Sequence, residues 1–280
     1  MNLCFSTLGC PDWSFERVVS EAQRMGYSAI EVRGIGDVLR IEQIEAFKPE
    51  NQQRTQSLLD KAGIRIVSLN TSATLQDPAT LQDALDEVKS ALAVANRMGI
   101  AGIRVFGDAR PVDGATPLPM QHVADGLEAM CGIAAQMGST QIWLEIHGAI
   151  NSKERLVPIL QQVGGHPSFG LIWDIQHSYR AAGNDIIPFY ELVRPFVKHM
   201  HIKDGREIPG DFEITLLGEG NIDIPQIVNR LEQDGYDGCY SFEWEKRWHR
   251  NLPEPELAFP AYVHYMRTLA QNAEPTSPRL

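Results

Sequence analysis

One predicted strand, residues 197–204, carries three basic side chains on a single face. Side chains alternate along a strand, so His199, His201 and Lys203 share one face while apolar side chains occupy the other. A buried strand of an α/β protein is normally apolar on both faces, and burying three such groups costs several kcal/mol unless negative charge lies opposite. The sequence therefore predicts acidic partners for this strand.

Three carboxylates are the expected partners. Glu145, Asp174 and Glu243 each stand at the end of a β-rich run. They cannot share a dry pocket without neutralisation, because like charges raise each other's pKa and burial adds to the cost. A divalent cation bound by these carboxylates and His201 removes the repulsion, and oxygen ligands with one imidazole suit Mn²⁺, Co²⁺, Mg²⁺ or Zn²⁺. The alternative is that each group is separately salt-bridged or exposed.

The elements that position these residues are predicted from a repeat. A helical end, a glycine and a β-rich run recur with the glycine at positions 26, 63, 99 and 138. A glycine just past a helix is the usual left-handed stop, because it adopts positive φ without a Cβ penalty. Each glycine therefore ends a helix and precedes a strand. Further strands are predicted at Leu3–Ser6 and at 169–173, 197–202 and 239–242, which makes eight in all.

Eight alternating strand and helix units predict one fold. Right-handed crossovers close such a chain into a single (β/α)8 TIM barrel, here expected over residues 1–271 with a flexible tail at 272–280. Residues 205–221 and 251–255 are expected to be loops. Catalytic groups of such barrels project from the carboxyl ends of strands, so the four candidate ligands can converge.

Composition excludes several classes of partner. A formal net charge of −11 without a basic run argues against nucleic-acid binding. No stretch approaches the about 18–20 consecutive apolar residues of a membrane span, and no signal pattern opens the chain. The four cysteines show no metal-site spacing and fit a reducing compartment. A cytoplasmic protein is therefore expected.

Five motifs together carry a resemblance to a known family. They are Trp143-Leu-Glu-Ile-His147, Trp173-Asp-Ile-Gln-His177, His199-Met-His-Ile-Lys-Asp204, Leu217-Gly-Glu-Gly-Asn221 and Gly235-Tyr-Asp-Gly-Cys-Tyr-Ser-Phe-Glu243. This combination resembles the xylose isomerase-like TIM-barrel superfamily, and more narrowly its sugar phosphate isomerase/epimerase group, with ketose 3-epimerases, hydroxypyruvate isomerase and inosose dehydratase. The resemblance covers nearly the whole chain but does not define the substrate.

The resemblance implies a metal centre and a reaction. Its ligands are Glu145, Asp174, His201 and Glu243, which hold one divalent ion, with Mn²⁺ as the first choice. The two glutamates form the acid/base pair, and His177 helps to hold the substrate. An ion bound to the carbonyl and neighbouring hydroxyl of a sugar acidifies the C–H between them and stabilises the enediolate. The expected activity is isomerisation or epimerisation of a keto or aldo sugar or derivative.

Differences from two branches of the family narrow the expected activity. The endonuclease IV branch needs extra histidines after the third and fourth strands, where this chain has Ser68-Leu-Asn70 and Val105-Phe-Gly107, so nuclease activity is not expected. The ketose 3-epimerases carry a further glutamate where this chain has Asn151, so their particular substrate does not transfer.

Other residues are weaker candidates. Lys203 could bind substrate oxygen or stabilise an enolate, or simply pair with Asp204 or Glu245. His147, Asn70 and Trp248 are further candidates for substrate contact.

Three more features have structural alternatives. Arg104 and Glu31 are expected to pair across the barrel floor, and His199 to support His201. Gly218-Glu-Gly220 fits a plain turn better than a phosphate site. Residues 246–250 could close over the site or contact a partner subunit, which leaves a homo-oligomer open.

Two classes of function remain. The first is the metal-dependent isomerase or epimerase, with a dehydratase or lyase acting on a cyclic keto-polyol or keto-glycoside as its nearest variant, since both begin with the same proton abstraction. The second is a sugar-binding barrel without catalysis.

Overall fold

The strands close into a parallel barrel. The computed structural model describes residues 1–108 and 119–272, and within them eight strands form the closed sheet. They are β1 (Asn2–Ser6), β2 (Ala29–Val32), β3 (Arg65–Thr74), β4 (Gly102–Phe106), β5 (Gln141–Glu145), β6 (Phe169–Asp174), β7 (Val197–Ile202) and, after a hairpin, β10 (Cys239–Phe242). Their order around the barrel is β1-β10-β7-β6-β5-β4-β3-β2. The predicted (β/α)8 fold is confirmed.

Helices surround this sheet. They are α1 (Phe15–Met25), α2 (Gln52–Ala62), α3 (Leu81–Met98), α4 (Met120–Met137), α5 (Lys153–Val163), α6 (Ile175–Ala182), α7 (Ile187–Val193), α8 (Ile224–Gln233) and α9 (Pro255–Asn272). None of the described helices is long and apolar enough to cross a membrane. The predicted limits, a barrel over 1–271 and a tail at 272–280, stay predictions. Residues 273–280 lie outside the described part of the chain.

The repeated glycine ends a helix at all four predicted positions, and at three of them it has the expected left-handed conformation. Gly26, Gly63 and Gly99 have φ of 83°, 66° and 69°. Gly138 is different, because it follows α4 in an extended conformation with φ 160° and ψ −146°. A Cβ there would lie 2.1 Å from Asn96 Oδ1, so glycine is needed for close approach rather than for a left-handed turn.

The prediction of a loop at 205–221 is wrong for most of its length. A hairpin of β8 (Asp204–Ile208) and β9 (Asp211–Thr215) occupies it, joined at Pro209 and Gly210. The following turn is organised by Asp204, whose carboxylate accepts hydrogen bonds from the backbone N–H groups of Gly205, Gly218, Gly220 and Ile222. The N–H groups at 218 and 220 are therefore occupied, which favours the plain turn over a phosphate site.

Alternation along the strands separates the core from the barrel interior. Tyr240 and Phe242 face outward on β10, where the Phe242 ring stacks on Tyr262 of α9 with centroids 4.7 Å apart. Ser241 faces inward and is paired in register with His201. Apolar residues thus fill the layer between sheet and helices, and polar residues fill the interior near the carboxyl ends of the strands.

Candidate metal centre and active site

The four predicted ligands meet at the carboxyl end of the barrel. Glu145 is the last residue of β5, Asp174 the last of β6, His201 lies in β7, and Glu243 directly follows β10. These four strands are neighbours in the sheet. All four side chains are buried, and one ligand atom from each lies within 4.8 Å of the others.

The geometry suits a cation bound at His201 Nδ1. This nitrogen lies 3.3 Å from Glu145 Oε1, 3.2 Å from Glu243 Oε2 and 3.8 Å from Asp174 Oδ2. The ring's other nitrogen, Nε2, lies 3.2 Å from Glu31 Oε2. A proton on Nε2 donated to Glu31 leaves the Nδ1 lone pair for a metal, as in most metal-binding histidines. The residues present therefore fit a divalent ion.

Negative charge dominates this cluster. Burial alone would lower the pKa of His201, but Glu243, Glu31 and Glu145 raise it well above its ordinary value. The acids respond in the opposite direction: burial would raise the pKa of Glu243, but His201 and Lys203 hold it well below its usual range. The glutamate is therefore a carboxylate, which is the form that binds metal and accepts a proton.

Glu31 supports both histidines of β7 from across the barrel. His199 Nε2 lies 2.6 Å from Glu31 Oε2, the same oxygen that faces His201. Burial would raise the pKa of Glu31, but the two imidazoles hold it well below its usual range. The supporting position predicted for His199 is consistent with this contact.

The predicted pairing of Arg104 with Glu31 is wrong. Arg104 Nη1 instead donates to Glu145 Oε2 at 2.9 Å, and both side chains are 2% exposed. The guanidinium also lies over the Phe106 ring, 3.8 Å from its centroid. Arg104 therefore holds one candidate ligand directly, while Glu31 is left to the two histidines.

Lys203 lies among three carboxylates rather than pointing into an open pocket. Its Nζ is 2.7 Å from Asp174 Oδ2, 2.7 Å from Glu243 Oε2 and 2.8 Å from Glu245 Oε1. Burial would lower the pKa of Lys203, but these acids raise it well above its ordinary value. Of its two expected structural partners, Glu245 is correct and Asp204 is not. The ammonium supplies positive charge directly beside two candidate metal ligands.

His147 and His177 form one wall next to the metal ligands. Their ring centroids are 4.3 Å apart, and His147 Nδ1 lies 3.0 Å from Asp108 Oδ1. His177 Nδ1 accepts a hydrogen bond from the Gly148 N–H at 3.3 Å. Burial lowers the pKa of His177 to about 4, so its ring is neutral at physiological pH. Both rings remain candidates for substrate contact.

Two other candidates are placed less favourably. Asn70 is fully buried and already bonded, accepting from Ser68 Oγ at 2.8 Å and donating to Glu31 Oε1 at 3.2 Å. Trp248 is 53% exposed in the turn after β10. Lys246 fixes that turn by donating to Arg250 O at 2.9 Å and to Leu252 O at 2.5 Å. Asn70 thus supports Glu31, and only the outer part of residues 246–250 is free for a ligand.

Sequence reasoning missed Asp108 as an orienting group for His147. Its second carboxylate oxygen accepts from the Ala149 N–H at 2.7 Å, so it fixes both the ring and the turn after β5. The signal was present, because Asp108 stands three residues past Val105, the end of the predicted fourth strand, and catalytic barrel residues are found after strand ends.

Comparison with known proteins agrees with the fold and extends along most of the chain. The curated L-ribulose-5-phosphate 3-epimerase UlaE of Salmonella typhi is 24% identical over 245 residues, which is 85% of this chain and 84% of that protein. Among solved structures, the probable 3-DHS dehydratase AsbF of Bacillus anthracis has a TM-score of 0.77 at 17% identity, covering 95% of this chain and 99% of that one. The IolI protein with a bound zinc atom has a TM-score of 0.78 at 18% identity, covering 99% and 100%.

A family model also matches most of the chain. Residues 19–269 match the model described as xylose isomerase-like TIM barrel. Together with the closed barrel, this match shows that the chain belongs to the xylose isomerase-like TIM-barrel family.

Proposed function

We propose that this protein is a divalent-metal-dependent isomerase or epimerase of a small keto or aldo sugar. One observation carries the proposal. Glu145 ends β5 and Glu243 directly follows β10, and both carboxylates approach His201 Nδ1 to within 3.3 Å. Two carboxylates facing one another across a cation position are what a proton transfer between two sites on one substrate requires.

The proposed reaction needs a Lewis acid. A divalent ion held by Glu145, Asp174, His201 and Glu243 would supply Lewis acidity toward a sugar carbonyl and its neighbouring hydroxyl. Oxygen ligands with one imidazole are compatible with Mn²⁺, our first choice, and with Mg²⁺, Co²⁺ or Zn²⁺. The bound zinc of IolI supports a metal on this fold.

The two glutamates are held by different cations. Arg104 donates to Glu145 Oε2 and keeps that carboxylate oriented, while Lys203 contacts Glu243 Oε2. Either glutamate can remove the C–H proton next to the carbonyl, and the other can return one. Return to the opposite face of the same carbon gives an epimer, and return to the neighbouring carbon gives an isomer.

The histidine wall can recognise hydroxyl groups. A neutral His177 ring can donate one hydrogen bond through Nε2, because Nδ1 already accepts from Gly148 N–H and the single proton is therefore on Nε2. His147 is oriented by Asp108. These rings would hold the sugar in one orientation, with its reacting carbons between Glu145 and Glu243.

Elimination is the second candidate activity. The same C–H abstraction followed by loss of a β-hydroxyl would make a dehydratase or lyase, and the fold of the probable dehydratase AsbF is shared. Lys203 favours neither outcome, because an ammonium beside Glu243 could stabilise negative charge on the substrate oxygen in both. Product analysis separates the two: an epimer or isomer retains all its oxygen substituents, whereas elimination releases water or, from a keto-glycoside, an alcohol.

Solvent deuterium exchange tests the proposal. We expect the Mn²⁺-loaded protein to exchange a C–H of at least one ketose or ketose phosphate, L-ribulose 5-phosphate included, in D₂O followed by NMR. Glu243→Gln should lower that exchange by roughly 10²–10⁴-fold, since it removes a general acid/base. Glu154→Gln, an exposed carboxylate on α5, is the matched control and should exchange normally. Full exchange by Glu243→Gln would remove Glu243 from the mechanism.

A further inference from the structure

Arg33 is a buried cation that the proposed reaction does not use. It follows β2 directly and lies two residues after Glu31, on the same face of the strand. Its side chain is therefore inside the barrel, closer than Glu31 to the carboxyl ends of the strands, which form the barrel mouth. Thr7 fixes its backbone by accepting the Arg33 N–H at 3.0 Å. The side chain is 8% exposed and Nη2 donates to Ser72 Oγ at 2.9 Å.

The other end of this guanidinium lacks a partner. Among residues 1–108 and 119–272, Arg33 Nη1 is buried without a hydrogen-bond acceptor, and Arg33 forms no ion pair within 4.0 Å. A buried cationic donor left unpaired costs free energy that a ligand acceptor would recover. The contact with Ser72 alone needs only a neutral donor, so it does not account for an arginine here.

Charges of both signs act on Arg33. Burial and the charges of Arg104 and Arg247 lower the pKa of Arg33 to about 10, although the carboxylates of Glu87 and Glu243 act in the opposite direction. Arg104 is already engaged by Glu145, whereas Arg247 donates through Nη2 to Gly36 O and its buried Nε has no acceptor among the described residues. Arg33 follows β2 and Arg247 follows β10, which are the two strands that flank β1. Two guanidinium groups with unsatisfied donors therefore follow the strands on either side of β1.

We infer that Arg33, assisted by Arg247, binds an anionic oxygen group of the substrate, a carboxylate or a phosphate. The planar guanidinium fork matches both groups, and Nη1 is the free donor. Arg33 follows β2 and Glu243 follows β10, the two strands that flank β1, so both residues stand at the carboxyl end of the barrel where one substrate could contact them. This inference deepens the proposed function, on which it rests, by assigning an anionic sugar derivative as the substrate class.

Direct binding of simple anions tests this assignment without turnover. The probes are inorganic phosphate and acetate, titrated by NMR into the full chain loaded with diamagnetic Mg²⁺. We expect at least one of them to bind, and Arg33→Gln to weaken that anion by roughly tenfold or more, because a charge-assisted hydrogen bond is lost. Arg33→Lys, which keeps the charge without the fork, should retain part of the affinity. Arg54→Gln removes an exposed arginine and should bind as the unaltered chain does.

The outcomes separate the possible sources of the anion. A loss confined to phosphate assigns a phosphorylated sugar, and a loss confined to acetate assigns a sugar acid. Equal binding by Arg33→Gln and the unaltered chain, or binding of neither anion, would overturn the inference. Failure of deuterium exchange with anion binding intact would instead reject the catalytic proposal and leave the anion site standing.

Discussion

The two sides of the barrel mouth differ in whether their buried cations have carboxylate partners. On the side of β5, β6, β7 and β10, the ammonium of Lys203 lies within 2.8 Å of three carboxylates. On the side of β1 and β2, the guanidinium of Arg33 forms no ion pair within the described residues and has one nitrogen without an acceptor. In the first arrangement three carboxylates share one ammonium, whereas in the second a buried guanidinium has no carboxylate partner within the described residues.

This difference indicates which ligand each side accepts. Surplus carboxylates favour a divalent cation, because repulsion among them is relieved when it binds. A buried guanidinium without a carboxylate partner favours an anion, because the anion supplies the missing acceptor. Arg104, bonded to Glu145 at 2.9 Å, links the two sides. We therefore expect a substrate to lie with its anionic group at Arg33 and its reacting carbons at the carboxylate cluster.

The largest effect on stability is expected from Lys203→Met. Removing the ammonium leaves Asp174, Glu243 and Glu245 without their shared cation, and breaking a buried ionic cluster in this way costs about 3–5 kcal/mol of unfolding free energy. Urea unfolding of the metal-free protein measures the loss. Saturating Mn²⁺ should reduce the loss, because the ion compensates the same carboxylates.

Lys89→Met is the matched control for that experiment. Lys89 is exposed and pairs with Asp86 at 3.6 Å on the surface of α3, so its substitution should change stability by at most about 0.5 kcal/mol. Equal losses of unfolding free energy in the two lysine variants would contradict the claim that Lys203 stabilises the buried carboxylate cluster.

A smaller effect, of opposite sign, is expected from Arg33→Met. This variant removes a buried charge that lacks an ion-pair partner, so its unfolding free energy should be unchanged or higher by about 1 kcal/mol. The same urea titration measures it. A loss as large as that of Lys203→Met would show that Arg33 is paired in the folded protein and that the two sides do not differ.

The sequence predicted the part of the site that depends on strand parity and barrel order. Alternation placed His201 on the interior face, and the rule that functional groups follow strand ends selected Glu145, Asp174 and Glu243. These positions depend only on local periodicity and on the sequential order of parallel strands. The structure brings all four together.

Contacts across the barrel could not be predicted in this way. Whether Glu31 meets Arg104 or His199 depends on how far each strand is shifted along its neighbour, and the register shifts between Ile30 and Glu31 where β2 pairs with β3. The alternation of side chains along a strand predicts which face each one occupies, but it does not predict the position of the side chain along the barrel axis. The error on Arg104 and Glu31 is therefore one of register.

The hairpin of β8 and β9 was missed for a different reason. The alternating residues of Asp211-Phe-Glu-Ile-Thr215 and the Pro209-Gly210 pair are ordinary hairpin signals, and Gly210 adopts the φ of +78° that the turn requires. The prediction depended on the regular spacing of the barrel units, and this pair of strands lies outside the barrel sheet.

The central claim is that Glu145, Asp174, His201 and Glu243 form one metal centre, and metal content tests it most directly. Mass spectrometry of the purified, dialysed protein should find close to one divalent ion per chain, either as isolated or after incubation with Mn²⁺. His201→Ala should lose that ion, whereas His264→Ala, on the surface of α9, should keep it. Equal metal content in the unaltered chain and His201→Ala, or no bound ion after incubation with manganese, cobalt, magnesium or zinc, would contradict the account.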